Sequence, residues 1–212
     1  MMSPENDPPR DRFALLANGA NFSCEVLQAL RGKHLLPTLI LMPEYPPAKI
    51  KPDRGTEIVI ATPERRFIEL GQDIEFDYAP AARQLKCARL VKKTKIDFLL
   101  VACWPYLIGE HLIASPRKAA LNLHPSLLPD FRGPDPIEQQ LALGISRFGV
   151  TLHLLDRQFD HGDIVYQAEL NEIDHQADRA DLERRCAIQG VELFVEAMKS
   201  YDHGWKLVRQ TA

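Results

Sequence analysis

No apolar run in the sequence approaches the roughly 18 residues needed to cross a bilayer. The opening stretch, MMSPENDPPRDR, is polar and Pro-rich rather than a basic leader followed by an apolar segment. The expectation is a soluble, cytoplasmic protein without a membrane partner, whose residues 1–11 form a flexible tail. An excess of charge is missing as well: 26 Lys+Arg stand against 29 Asp+Glu, a net charge of -3. That balance supplies no global basic field for gripping nucleic acid. The four cysteines, Cys24, Cys87, Cys103 and Cys186, are far apart and form no C-x-x-C pair. They sit in apolar or helical patterns, as buried thiols of a reducing compartment do. Internal repeats, low-complexity tracts and long linkers are also absent. What is present is apolar content of 45% in 212 residues, enough for one α/β domain over residues 12–212.

The apolar residues arrive in short bursts. RFALLA (Arg12 to Ala17) ends in NGAN, and FSCEVLQALRGK then places Phe22, Val26, Leu27 and Leu30 at helical spacing. This reads as strand, tight turn, helix. PTLILMP (Pro37 to Pro43) and EIVIA (Glu57 to Ala61) read as strands on either side of the loop EYPPAKIKPDRG. A helix through ARQLKCARLVKKT leads to IDFLLVAC (Ile96 to Cys103), which is too apolar on both faces for an edge strand. AALNLH (Ala119 to His124) is the next strand, and DPIEQQLALG a helix closed by its Gly. GVTLHLLD and IVYQAEL alternate as strands do, and the pattern from about Asp178 to Tyr201 is an amphipathic helix. Continuous apolar strands alternating with helices imply an α/β fold, with an open, mostly parallel, Rossmann-like sheet covered by helices on both faces. The charges of RRFIEL and VKKTK read as solvated faces.

In such a sheet ligands bind beyond the carboxyl ends of the strands. Asn122 and His124 lie at one such end, and strand residues two apart point the same way. An Asp from FDHGD (Phe159 to Asp163), after the next strand, can then reach the imidazole. An amide, an imidazole and a carboxylate suit attack on a carbonyl by a nucleophile the protein does not supply. Amide and imidazolium donate to the developing oxyanion, and the carboxylate orients the ring. Ser126, the nearby hydroxyl, lacks a Gly-x-Ser-x-Gly elbow and follows a proline, so a serine hydrolase is not expected. A metal site from His124, His153, His161 and carboxylates has no helical ligand pair behind it, and none is expected. Asn122 as a turn cap and the HGD triplet as an ordinary turn remain the plain alternatives.

The stretch LNLHPSLLPDFRGPDPIEQQLALG, followed by GVTLHLLDRQFDHGDIVYQ, resembles the folate-dependent formyltransferase family. That family's Asn-x-His-x-Ser-Leu-Leu-Pro motif, Arg/Lys-Gly pair and Asp-x-Gly loop fall on Asn122, His124, Ser126, Leu127, Leu128, Pro129, Arg132, Gly133, Asp160 and Gly162. The resemblance implies that Asn122 holds the formyl oxygen, His124 stabilises the tetrahedral intermediate, and Asp160 pairs with His124 and assists proton movement. It implies 10-formyltetrahydrofolate as the formyl donor, with no metal. The pterin would lie against Trp104, Pro105, Tyr106, Leu107 and Ile108 and against the loop holding Phe159 and Gly162. The acceptor side would draw on Ser126, Arg132 and Gly133. The NGAN turn, with Asn18, Gly19 and Asn21, would add to it. Its exposed amides at a helix start can hold a phosphate, although Ala17 and Ala20 stand where the ribonucleotide branch of the family tends to have Gly and Ser.

The resemblance runs from about Arg12 to Tyr201. FRGPDPIEQ is nearer to the branch acting on methionyl-tRNA, which carries a C-terminal β domain and a long basic loop that this sequence lacks. With the net charge of -3, tRNA is therefore the less expected acceptor. The leading expectation is transfer from 10-formyltetrahydrofolate to a primary amine on a small or nucleotide-linked molecule, by a catalytic domain resembling that of the methionyl-tRNA branch, with a glycinamide ribonucleotide or sugar-nucleotide enzyme as an alternative. Water as acceptor would make the chain a deformylase. The reading from another class is a folate- or partner-binding module without turnover.

Overall fold

The computed structural model describes residues 11–44, 63–80, 84–171, 173 and 177–210. Most of the tail, the loop beyond Glu44 and the strand expected at Glu57–Ala61 lie outside those residues. Seven strands form one sheet: β1 (Phe13–Ala17), β2 (Leu39–Glu44), β3 (Glu75–Pro80), β4 (Phe98–Ala102), β5 (Ala119–His124), β6 (Gly149–Leu154) and β7 (Ile164–Glu169). Their order is β3-β2-β1-β4-β5-β6-β7. Pairing is parallel from β3 through β5, and β6 runs antiparallel to both of its neighbours. The described helices are α1 (Asn21–Gly32), α2 (Pro63–Leu70), α3 (Gln84–Lys93), α4 (Glu110–Ile113), α5 (Pro136–Ala142) and α6 (Arg179–Ser200).

FALLA and FLLVA are buried at every position because β1 and β4 are central and covered on both faces. Alternation divides their side chains. Phe13, Leu15 and Ala17 pack with Phe22, Val26, Leu27 and Leu30 of α1 and with Val191, Phe194 and Met198 of α6. Ala14 and Leu16 pack on the opposite side with Cys87, Ala88 and Val91 of α3. Each large side chain so buried contributes about 1.5–3 kcal/mol. Asp178 caps α6 by accepting from the Asp181 amide at 2.8 Å. Gly190 lets that helix settle on the sheet, since a Cβ there would stand 3.0 Å from Leu123 and 3.2 Å from Val150.

Every element expected from sequence within the described residues is found, with ends shifted by no more than two residues. β3, α2 and the one-turn α4 were not anticipated. EFDYAP alternates Glu75 and Asp77 with apolar residues and, among the described residues, pairs on one side only, so it does not show the continuous apolar run of a central strand. The charged run RRFIEL is not merely a solvated face: it belongs to α2, which is anchored by Phe67, fully buried against the core.

From β1 the chain steps outward to β2 and β3, then returns to the other side of β1 as β4. That reversal opens a crevice at the carboxyl ends of β1 and β4, the place where open α/β sheets bind ligands.

Candidate active site

A cavity of about 570 Å³ occupies this crevice. Asn18 and Ala20 after β1, Cys103 to Ile108 after β4, the end of β5, the loop Leu155–Asp160 and α6 enclose it. Trp104 and Tyr106 meet edge to face in its wall, with centroids 6.4 Å apart. Among the described residues, Trp104 Nε1 is the buried side-chain polar atom that has no partner.

Alternation along β5 sends Leu121 and Leu123 into the core beneath α6 and leaves Asn122 and His124 on the other face, lining the cavity. The antiparallel register then sets His153 opposite Asn122 and Thr151 opposite His124. Thr151 is fully buried; its hydroxyl donates to Ser126 O at 2.6 Å and accepts from the Leu128 amide at 3.1 Å. Ser126 in turn donates to Asp130 O at 2.7 Å. These bonds hold the turn that follows His124.

Because β6 is antiparallel, the loop after it begins beside the start of β5, where the Leu155 amide donates to Ala120 O at 2.9 Å. It has to double back to bring Asp160 to Asn122. Gly162 permits this: a Cβ there would lie 1.8 Å from Leu154 O. Asp160 itself takes a left-handed conformation, φ 59°, as do Cys103 (60°), Phe131 (58°) and Asp135 (50°) around the same cavity. Each such residue stores about 1–2 kcal/mol, and clustering of such strain is common where side chains are held for function.

One carboxylate gathers the site. Asp160 Oδ1 accepts from Asn122 Nδ2 at 3.1 Å and lies 3.5 Å from His124 Nδ1 and 3.4 Å from His153 Nε2. Its Oδ2 accepts from the Gly133 amide at 2.9 Å. His124 Nε2 is 2.8 Å from Phe131 O, and a carbonyl only accepts, so this nitrogen carries the hydrogen and Nδ1 faces Asp160. By the same reasoning His153 Nδ1 donates to Leu154 O at 2.8 Å, which leaves Nε2 to accept from Asn122 Nδ2 at 3.0 Å. Burial depresses the basicity of His124 below the usual 6.5, outweighing the attraction of Asp160, so the ring rests neutral near pH 7. For Asp160, burial acts to raise the pKa. Once proton-bearing on the nitrogens that face it, the imidazoles of His153 and His124, together with the Gly133 amide, outweigh it, and the carboxyl falls to about 2.

Behind these groups Gln210 joins two loops. Its Oε1 accepts from Arg132 Nε and Nη2 at 3.1 and 2.9 Å, and its Nε2 donates to Asp160 O and Gly162 O at 3.0 and 2.7 Å. Val208 pairs with Ile164 alongside.

Of the residues singled out in sequence, Asn122, His124 and Asp160 are brought together. Asn18, Trp104, Pro105, Tyr106, Leu107, Ile108, Gly133 and Phe159 share their cavity. Gly19, Asn21, Ser126, Arg132 and Gly162 do not line it. Ser126, Arg132 and Gly162 brace the loops around it, and Asn21 bonds to the cavity residue Glu183 at 2.5 Å. Sequence reasoning missed His153, Glu183, Arg179 and Gln210. His153 carried a signal, a His within an alternating strand, but its partner depends on the direction of β6. Among the described residues no three His, Cys, Asp or Glu gather as a metal group, and no helix is long and apolar enough to cross a membrane.

An open α/β sheet with an amide, an imidazole and a carboxylate at its switch point defines a Rossmann-like protein with a polar cluster in its crevice. The formyl transferase family model matches residues 18–198, and the chain belongs to that family. It is 26% identical over 184 residues to the methionyl-tRNA formyltransferase of Thermotoga maritima, covering 86% of this chain and 56% of that protein. With the methionyl-tRNA formyltransferase of Anaeromyxobacter dehalogenans it shares 30% identity over 203 residues, covering 95% and 62%. The chain thus spans little more than half the length of these curated relatives. Glycinamide ribonucleotide transformylase 1 from Symbiobacterium toebii has the same fold, with a TM-score of 0.67, 19% identity, and coverage of 97% of this chain and 96% of that one.

Proposed function

We propose that the chain transfers a formyl group from 10-formyltetrahydrofolate to a primary amine, in the cytoplasm and without a metal. The observation that carries this reading is the single carboxylate, Asp160, reached by Asn122 and His124 at the floor of the cavity. Cys24, Cys87, Cys103 and Cys186 form no disulfide with one another, which favours a reducing compartment.

The donor's heterocycle fits the wall from Trp104 to Ile108, where apolar side chains alternate with backbone groups. The acceptor amine approaches the formyl carbon, and a new C–N bond forms as the carbonyl electrons move to oxygen. His124, neutral at rest, takes up the amine's proton through Asp160 and becomes a cation only as the oxyanion develops. The stabilisation therefore favours the transition state over the ground state. Asp160 balances that cation, and Asn122 lies beside the reacting carbon. Collapse breaks the bond from the formyl carbon to the folate nitrogen, which receives the proton, and releases tetrahydrofolate and a formamide.

The test mixes the protein with 10-formyltetrahydrofolate and a panel of amines and follows tetrahydrofolate release spectrophotometrically. The panel includes amino sugar nucleotides, glycinamide ribonucleotide and methionyl-tRNA. Amine-dependent release that disappears in Asp160→Ala supports the reading. Folate binding without release from any amine supports a binding module instead.

A further inference from the structure

The wall formed by the start of α1, Asp135 and the first turn of α6 is where a phosphate on the acceptor would meet the NGAN turn, and the side-chain groups Asn18 Oδ1 and Asn21 Nδ2 of that turn are already engaged. Asn18 Oδ1 accepts from the Ala20 amide at 2.9 Å and the Ser23 hydroxyl at 3.1 Å. Asn21 Nδ2 donates to Glu183 Oε2 at 2.5 Å. Glu183 Oε1 accepts from Arg179 Nε at 2.8 Å, and Arg179 also faces Asp135 at 3.2 Å and Glu138 at 3.5 Å. Glu183 is only 5% exposed yet lines the cavity. Arg179, the cation of this wall that lines the cavity, is thus surrounded by three carboxylates, and Arg66, which reaches Asn21 Oδ1 at 3.4 Å, is itself held by Glu25 at 2.8 Å. Among the described residues that line the cavity, Asp135, Asp156, Asp160 and Glu183 stand against the Arg179 guanidinium.

A phosphate brought to this wall meets net negative charge and a guanidinium already taken, and it must also shed water. A hydroxyl fares better. Each Glu183 oxygen holds one protein donor, while a carboxylate offers about four lone-pair sites in all.

We infer that Glu183 sets the acceptor class: the part of the acceptor lying against α1 and α6 is uncharged and hydroxyl-bearing, as in an amino sugar or amino polyol, and a phosphate is excluded there. This rests on the formyl-transfer reading for its meaning, but it is tested by binding. Calorimetry of the full chain with 2-amino-2-deoxyglucose and with its 6-phosphate compares a matched pair. Wild type is expected to favour the unphosphorylated amine by about 10-fold or more, the scale of one unfavourable charge contact at a partly buried site. Glu183→Gln, which keeps an oxygen for Arg179, is expected to narrow that ratio. Asp135→Asn is expected to narrow it independently, and Asn tolerates the left-handed backbone at that position. Equal or tighter binding of the phosphate ester by wild type, no binding of either amine at millimolar concentration, or a ratio unmoved by both variants overturns the inference. A binding preference without tetrahydrofolate release supports this wall's selectivity while counting against formyl transfer.

Discussion

Asp160 is the residue on which charge and geometry both depend, and the two can be separated by Asp160→Asn. Its carboxyl titrates near 2 in the folded protein against an ordinary 3.8. A lowered carboxylate stabilises the fold at any pH above the ordinary value, and that contribution is lost as pH falls from about 4 towards 2. The size is about 2 kcal/mol. Urea unfolding at pH 5 and pH 2.5 is expected to show wild type losing about that much more stability than Asp160→Asn. His124 has the complementary behaviour. Its folded pKa lies below 6.5, so the unfolded chain takes up the proton first, and stability erodes as pH falls below 6.5. The acidic limb of kcat/KM is expected below 6.5 and to vanish with the activity in His124→Ala. His153 supports both through Asn122. His153→Phe leaves a buried amide hydrogen without its acceptor, at a cost of about 1–3 kcal/mol, and is expected to lower both the melting temperature and kcat. His153→Gln, which can still accept, is expected to restore part of each.

At the scale of elements, the central strands were legible because burial on both faces leaves a continuous apolar run, as in FLLVA. The β3 end of the sheet was not, since β3 carries Glu75 and Asp77 and the buried Phe67 of α2 stands among charged residues. The Asn-x-His pair could be read because alternation along one strand is local. The direction of β6 is set by the whole sheet, so the pairing of His153 with Asn122 had no local signature. Glu183 looked like any polar helix position, and nothing in KLVRQ pointed Gln210 at a loop fifty positions away in sequence. Gly190→Val is expected to force α6 off Leu123 and Val150 at a cost of about 1–3 kcal/mol, seen as a lower urea midpoint with the cooperativity kept. Gln210→Ala removes one link between the Asp160 and Arg132 loops and leaves the Gly133–Asp160 bond as the other. Its expected signature is a fall in kcat with KM and melting temperature nearly unchanged, whereas a purely structural role would move the melting temperature first.

On the scale of the whole molecule, the sheet's reversal at β1 and β4 places the cavity, the family model covers the elements around it, and a net charge of -3 spreads over the chain. The described residues that line the cavity run from 18 to 183, yet the side-chain amide that braces the loops of Asp160 and Arg132 belongs to residue 210, beyond α6. On a ribosome, therefore, the described lining residues are synthesised before the brace that steadies their loops. A chain cut after Trp205 would keep each of those residues and lose both the Gln210 contacts and the pairing of Val208 beside Ile164.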